Sequence, residues 1–279
     1  MKSGQISKRP VPPSYKMEPN FLKKPYYNLY LVRHGESMGN YYRIFGGWMD
    51  LPLTQAGKEE LEQLKGEIPY PEADLYRHSG LIRAKHTLKI ISGKQDIAQQ
   101  DWRFSESYFG IKEGSIPEDY QVNEDFYTKF YQDIPQGQGE ELFSEQRIRV
   151  LKACLDLLAE LKDLGLNSAY IFGHYGTIKS ALFSFVPGLS HNLESKEIIP
   201  NGSLWHFLFE DQGQRKSSRQ SESLRDKALE DLGLQRPQST MRCLLVRSYW
   251  GQGYQDLVYQ AEGFAEAGKT ILESASSLA

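Results

Sequence analysis

The stretch Tyr26-Tyr27-Asn28-Leu29-Tyr30-Leu31-Val32-Arg33-His34-Gly35-Glu36-Ser37 decides the fold. Tyr26–Val32 is aromatic and aliphatic apart from Asn28, the composition of a buried strand. The apolar run stops at Arg33-His34, and Gly35 lets the backbone turn tightly. An open α/β sheet binds its ligands just beyond such carboxyl ends. A helix after the turn would offer free N–H groups to an anion. Taken singly, a histidine after an arginine is more often a packing residue than a site, so the rest of the chain has to decide.

Outward from this stretch, the sequence predicts alternating helices and strands. Thr54-Gln55-Ala56-Gly57 opens a helix through Leu64 with Thr54 as its cap. Asp74–Tyr76 reads as a short strand, Leu81–Ile91 as a helix with Leu81, Leu88 and Ile91 on one face, and a weakly marked strand falls near Ile97. A long amphipathic helix runs from about Glu141 to Leu164, Ser168–Gly173 is a strand, His174 follows it, and a further helix starts near Thr177. Leu204–Phe209 is the last clear strand. The alternation predicts an α/β three-layer sandwich around a central, mostly parallel sheet.

Five parts of the chain are distinguished by composition. Residues 1–25 hold Pro10, Pro12, Pro13, Pro19 and Pro25 among lysines and read as a flexible basic arm. Residues 26–210 form the expected folded domain. Inside it, an insertion at about 111–139 carries Tyr120, Phe126, Tyr127, Phe130 and Tyr131, the last four spaced to share one side of a helix. Packing is the favoured role for these rings, and a lid over a site is the functional alternative. Residues 211–240 are polar and read as a linker. Residues 241–279 form a C-terminal extension of unknown role, with a strand over Met241–Tyr249 and a helix over Tyr254–Leu278 as expectations.

Across its 279 residues the chain is 39% hydrophobic and 25% charged with a net charge of -3, so no global attraction to nucleic acid or a membrane surface is expected. No apolar run approaches the ~20 residues that span a bilayer. Cys154 and Cys243 form neither a disulfide framework nor a metal-ligand spacing, and a cytoplasmic protein is expected.

Three further segments join Arg33-His34. Ser79-Gly80-Leu81-Ile82-Arg83-Ala84 follows the second strand, Glu106 precedes Gly110, and Gly173-His174-Tyr175-Gly176 follows a later strand. Two arginines, two histidines and a glutamate thus recur where one sheet edge could gather them. On these residues the chain resembles the histidine phosphatase superfamily, the phosphoglycerate mutase-like proteins, from about Tyr26 to Glu210. Arg33-His34-Gly35 with Ser37 and Asn40 is the signature. Leu53-Thr54 with Gly57, Ser79 to Thr87, Glu106 with Gly110, Gly139-Glu140 and Pro200-Asn201 support it. Phe45-Gly46-Gly47-Trp48 looks like the mutase and bacterial-phosphatase branches.

The resemblance implies that His34 attacks phosphorus and carries it as phosphohistidine, that Glu106 protonates the leaving group, and that Arg33, Arg83 and His174 hold the phosphate. Asn40, Ser37, Gly47 and Tyr175 would contact phosphate or substrate. No metal or cofactor is expected, because positioning and charge stabilisation carry most of phosphoryl transfer. His78, His86, His191 and His206 are expected to be surface or packing residues. Tyr175 stands where many members have glycine, Lys179 where arginine is frequent, Gly80 where proline is frequent, and Phe109 where mutases use tyrosine. Between Gly114 and Gly139 the only basic residue is Lys129, so the arginine pair that grips glycerate in the mutases is missing. The expected activity is hydrolysis of a small phosphate monoester. The alternatives are a mutase and a non-catalytic binding protein on the same fold.

Overall fold

The apolar run that opens at Tyr26 does form a strand, and its side chains divide between two cores. The computed structural model describes residues 26–116, 129–137, 139–186, 189, 199–213, 240–251 and 254–261, with the backbone alone for 254–257. The expected arm at 1–25, Tyr120, Phe126 and Tyr127, His191, most of the 211–240 linker and the tail beyond 261 lie outside the described residues.

Strand β1 (Tyr26–Arg33) sends Tyr27, Leu29 and Leu31 to one side and Val32 to the other. Strand β4 (Ser168–Gly173), fully buried, does the same with Ala169 and Ile171 against Tyr170 and Phe172. This two-residue period on both faces requires a covering layer on each. On one side lie α2 (Gln55–Glu67) and α3 (Ile82–Ser92), contributing Leu61, Leu64, Leu88 and Ile91. On the other lie α4 (Phe143–Leu164) and α5 (Tyr175–Phe185), contributing Val150, Leu157, Leu161, Ile178 and Leu182 among others. The short helix α1 (Met38–Tyr41) follows β1. The expected three layers are therefore present.

One sheet of seven strands runs β3-β2-β4-β1-β5-β6-β7, with β2 at Leu75–His78, β3 at Gln99–Gln100, β5 at Leu204–Asp211, β6 at Met241–Trp250 and β7 at Tyr254–Gln260. Its core, β3-β2-β4-β1, is parallel, and β5, β6 and β7 add on antiparallel. Register aligns the carboxyl ends that matter: Arg33 lies opposite Gly173, and His78 opposite Phe172. The residues just after β1, β4 and β2 are His34, His174 and Ser79, so three strand ends deliver them side by side.

Two expectations are corrected in the C-terminal region. The core does not end near Glu210, since β6 pairs along all of β5 and buries Met241, Cys243 and Val246 in the main core. Without β6, strand β5 would leave a row of open backbone groups at the sheet's edge. The expected helix from Tyr254 begins instead as β7. Tyr254, Leu257, Val258 and Ala261 fall at helical spacing, but the edge of β6 offers a ladder, and β7 takes it by a turn through Gly251. Of the aromatic stretch, Phe130 and Tyr131 pack on Phe143 at ring separations of 5.8 and 5.0 Å, joining the core.

Candidate active site

His34 leaves β1 almost fully buried, at 4% exposure. Its Nδ1 lies 2.7 Å from the Gly35 carbonyl oxygen. A carbonyl only accepts, so Nδ1 carries the proton and donates, and the lone pair of the neutral ring resides on Nε2. Burial first, then the charges of Arg83 and Arg33, hold the His34 pKa well below the ordinary histidine value. The ring is thus an unprotonated base with one committed nitrogen and one available nitrogen. The Asn201 amide donates to the His34 carbonyl at 2.8 Å and fixes the backbone at this turn.

His174, at 0% exposure, faces it with ring centroids 5.1 Å apart. Arg83 Nε donates to His174 Nδ1 at 3.3 Å. Arginine cannot accept, so the His174 proton sits on Nε2, which donates to Ser79 Oγ at 2.7 Å. Burial and the Arg83 charge keep this ring neutral as well. The Arg83 guanidinium is itself fixed, donating through Nη1 to the Met49 carbonyl at 2.7 Å and through Nη2 to the Gly47 carbonyl at 2.6 Å.

Arg33 is held differently. Its Nη1 donates to the Ile199 carbonyl at 2.5 Å, and its guanidinium carbon lies 5.5 Å from the centre of the Tyr175 ring. Its Nε is buried and has no hydrogen-bond partner among the described residues. A buried donor of this kind costs about 1–3 kcal/mol unless a ligand takes it up. Burial lowers the Arg33 pKa, while Glu106 opposes that shift.

Glu106 approaches from the loop after the turn at Trp102–Phe104. Its Oε1 accepts from the amides of Ser107 at 2.9 Å and Gly176 at 3.0 Å, and from the Gln146 side chain at 3.5 Å. The Gly176 donor is one of the otherwise open N–H groups at the start of α5. A Cβ at Gly176 would collide with Glu106 Oε1 and the Gln146 amide, so glycine is needed for this approach. Oε2 makes no hydrogen bond among the described residues.

The remaining expected residues stand nearby with other partners. Ser37 caps α1, and its backbone N–H and hydroxyl both donate to Asn40 Oδ1, at 3.1 and 3.0 Å. Gly47 offers its carbonyl to Arg83. Tyr175 starts α5 between Arg33 and Lys179, whose ammonium lies 5.6 Å from the ring centre and 3.8 Å from that of Tyr131. His78 turns its Nδ1 to the Gly80 amide, and His206 pairs with Asn28.

Three side chains that the sequence did not single out complete the arrangement. Arg149 on α4 donates to the carbonyls of Arg103, Ser105 and Glu106, each at 2.8 Å, and pairs with Glu141, so it clamps the backbone that carries Glu106. Gln146 accepts from Ser107 Oγ at 2.7 Å and braces Glu106. Glu113 accepts from the Trp48 amide at 2.7 Å and holds the loop that supplies Gly47; burial raises its pKa. The only available signal was an acid before Gly114 for Glu113, and nothing local for Arg149 or Gln146.

The family model for the histidine phosphatase superfamily (branch 1) matches residues 29–221. Among curated relatives, the chain is 26% identical over 189 residues to the adenosylcobalamin/alpha-ribazole phosphatase of Salmonella typhimurium, covering 65% of this chain and 85% of that protein. It is 38% identical over 96 residues to a 2,3-bisphosphoglycerate-dependent phosphoglycerate mutase of Bifidobacterium longum, a match covering 32% of this chain and 38% of the mutase. Among solved structures, the phosphoglycerate mutase of Thermus thermophilus superposes with a TM-score of 0.50 at 27% identity, over 64% of this chain and 91% of that one. Bacillus stearothermophilus YhfR superposes with a TM-score of 0.56 at 24% identity, over 67% and 92%, a likeness of fold.

Proposed function

The chain belongs to the histidine phosphatase superfamily, and from that premise we propose that it is a phosphomonoesterase working through a phosphohistidine at His34. The observation that carries this reading is the His34 ring: neutral, Nδ1 committed to the Gly35 carbonyl, Nε2 free beside two arginines.

In this reading the ester phosphate enters between Arg33 and Arg83, whose planar forks match its oxygens. It takes up the open Arg33 Nε and displaces the Ser79 hydroxyl from His174 Nε2, which then donates to a non-bridging oxygen. The Asn40 amide is a further neutral donor. His34 Nε2 attacks phosphorus, the bond from phosphorus to the ester oxygen breaks, and Glu106 Oε2 gives its proton to the departing alkoxide. Glu106, now a carboxylate, takes a proton from water as that water attacks phospho-His34. Inorganic phosphate leaves, and His34 and Glu106 return to their starting states.

Hydrolysis is preferred over mutase chemistry because a mutase must retain a second hydroxyl compound and exclude water. The arginine pair for a carboxylate is missing between Gly114 and Gly139, where Lys129 is the one basic residue. The partner is then a small phosphate ester. Cys154 and Cys243 are buried thiols rather than a disulfide, which fits a reducing, cytoplasmic setting.

The test supplies 3-phosphoglycerate, with and without a 2,3-bisphosphoglycerate primer, and follows 2-phosphoglycerate and inorganic phosphate. Weak activity on both glycerates beside clear hydrolysis of another ester is expected. Rapid interconversion with negligible phosphate release would establish the mutase instead.

A further inference from the structure

Beside the arginine–histidine cage, on the side of β2 and β3, the surface opens into a cleft of about 560 Å³, within the size range of small-ligand sites. Its walls include Trp48, Trp102, Asp50, Gln100, Ser79 and Leu81. Ser79 is shared with the cage, because its hydroxyl meets His174. Trp48 Nε1 donates to the Glu106 carbonyl at 2.7 Å. Asp50 accepts from the Ile82 amide, one residue before Arg83. The cleft therefore abuts the groups assigned to the phosphate and to the leaving oxygen.

Its chemistry is aromatic and uncharged except at Asp50. Trp48 and Trp102 are 42% and 57% exposed, with ring centroids 6.5 Å apart at an interplanar angle of 68°. Tyr108 extends the group, 5.2 Å from Trp48. Large rings left open at the mouth of a cleft are stacking surfaces. Gly80 keeps the floor open. Its φ is +97°, which a proline fixed near about −65° cannot adopt, and a Cβ there would come within 2.6 Å of the Gln100 amide nitrogen. The departure from proline at this position thus lets Gln100 turn its amide into the cleft wall. Asp50 would repel an alcohol that carries a carboxylate and would accept from one that carries a hydroxyl or N–H.

We propose that this cleft receives the alcohol portion of the phosphate ester, and that this portion bears a planar, uncharged ring which stacks on Trp102 and meets Trp48 edge-on. The proposal rests on the hydrolase reading for where the phosphate sits. Its test does not require turnover, because phosphonates keep the phosphate-like head on a carbon that is not cleaved.

Calorimetric affinities are measured for benzylphosphonate, 2-phenylethylphosphonate, cyclohexylmethylphosphonate and ethylphosphonate on the native protein and on Trp102→Ala, whose exposed ring can be removed without opening the core. The native protein should bind the better aryl compound at least about tenfold more tightly than ethylphosphonate, as one stacked ring supplies. In Trp102→Ala that gap should shrink to less than about threefold. Circular dichroism confirms that the variant is folded. An absent gap, a gap that Trp102→Ala leaves intact, or equal binding of the cyclohexyl and benzyl compounds would each overturn the proposal. A gap that behaves as expected in a protein that hydrolyses no ester would leave the ring site standing and remove the hydrolase reading.

Discussion

At the residue scale, the side chains of the candidate site form a set of fixed donors around the His34 Nε2 lone pair. His34 is the sharpest case, since its low pKa lets it remain a base in mild acid. Phosphorylation of the enzyme by a monoester should fall by clearly less between pH 7 and pH 5.5 than an ordinary histidine would allow. A histidine at the ordinary value of about 6.5 would lose roughly eightfold of its free base over that interval. Rapid-quench measurement of phosphoenzyme at the two pH values checks this, and an eightfold fall would place the His34 pKa near the ordinary value.

Glu106→Gln should slow alkyl esters by about a hundredfold or more and aryl phosphates far less, because aryl oxides need little protonation. An equal loss on both ester types would remove Glu106 as the proton donor and turn attention to Asp50. Arg149→Lys keeps the charge but loses the fork that grips three carbonyls. The resulting displacement of Glu106 should lower kcat by roughly tenfold to a hundredfold, mainly on alkyl esters. A uniform loss across ester types would make Arg149 merely structural. His34, Arg33, Arg83, His174 and Glu106 could be singled out as candidates from the sequence because each sits in a short recognisable segment after a strand or in the loop that follows one. Arg149, Gln146 and Glu113 could not, because the contacts that tie them to Glu106 and Trp48 join residues 40 to 65 positions apart.

At the element scale, the strands around the site were legible and so were β5 and β6 as strands, but β7 and the return of β6 to the main sheet were not. β1 and β4 announce themselves by apolar runs that end in Arg33-His34 and Gly173-His174. β7 was misread because its apolar spacing suits a helix equally well, and only the open edge of β6 decides between the two. Short β3 was weakly marked, since it is exposed and its two residues are both glutamine. The polar run after Glu210 suggested the end of the domain, yet β6 returns to the sheet and buries Cys243 and Val246. A chain stopped after Asp211 should therefore be poorly soluble or melt well below the full chain, because it exposes the β5 edge and the core beneath β6. Expression and a thermal melt of that truncated chain decide the matter. An unchanged melting temperature with full activity would mean that β6 and β7 are dispensable.

For the whole molecule, the histidines whose pKa values are lowered should make the fold lose stability in acid. Burial holds His34 and His174 well below the ordinary value, and burial with the Arg247 charge brings His206 to about 4. At pH 7 these rings are neutral in the folded chain and mostly neutral in the unfolded one, so they contribute little. As pH falls below about 6.5, the unfolded chain takes up protons that the folded one refuses, so stability is lost on the way down. His206 alone should cost ~3 kcal/mol by pH 4. Denaturant titrations from pH 7 to 4.5 should show this decline, and His206→Gln should flatten part of it. A midpoint that stays constant over that range would show that the rings titrate normally. The cage is also cationic as a whole, with Arg33 and Arg83 around two neutral rings, so EDTA should leave turnover unchanged.

The central claim is that phosphorus passes through His34. The protein is mixed with a phosphorus-labelled monoester, quenched in base within milliseconds, digested and sequenced by mass spectrometry. Base-stable, acid-labile label on His34, lost together with turnover in His34→Ala, is the predicted result. Label on Ser37 or on an aspartate, or turnover that survives in His34→Ala, would contradict it.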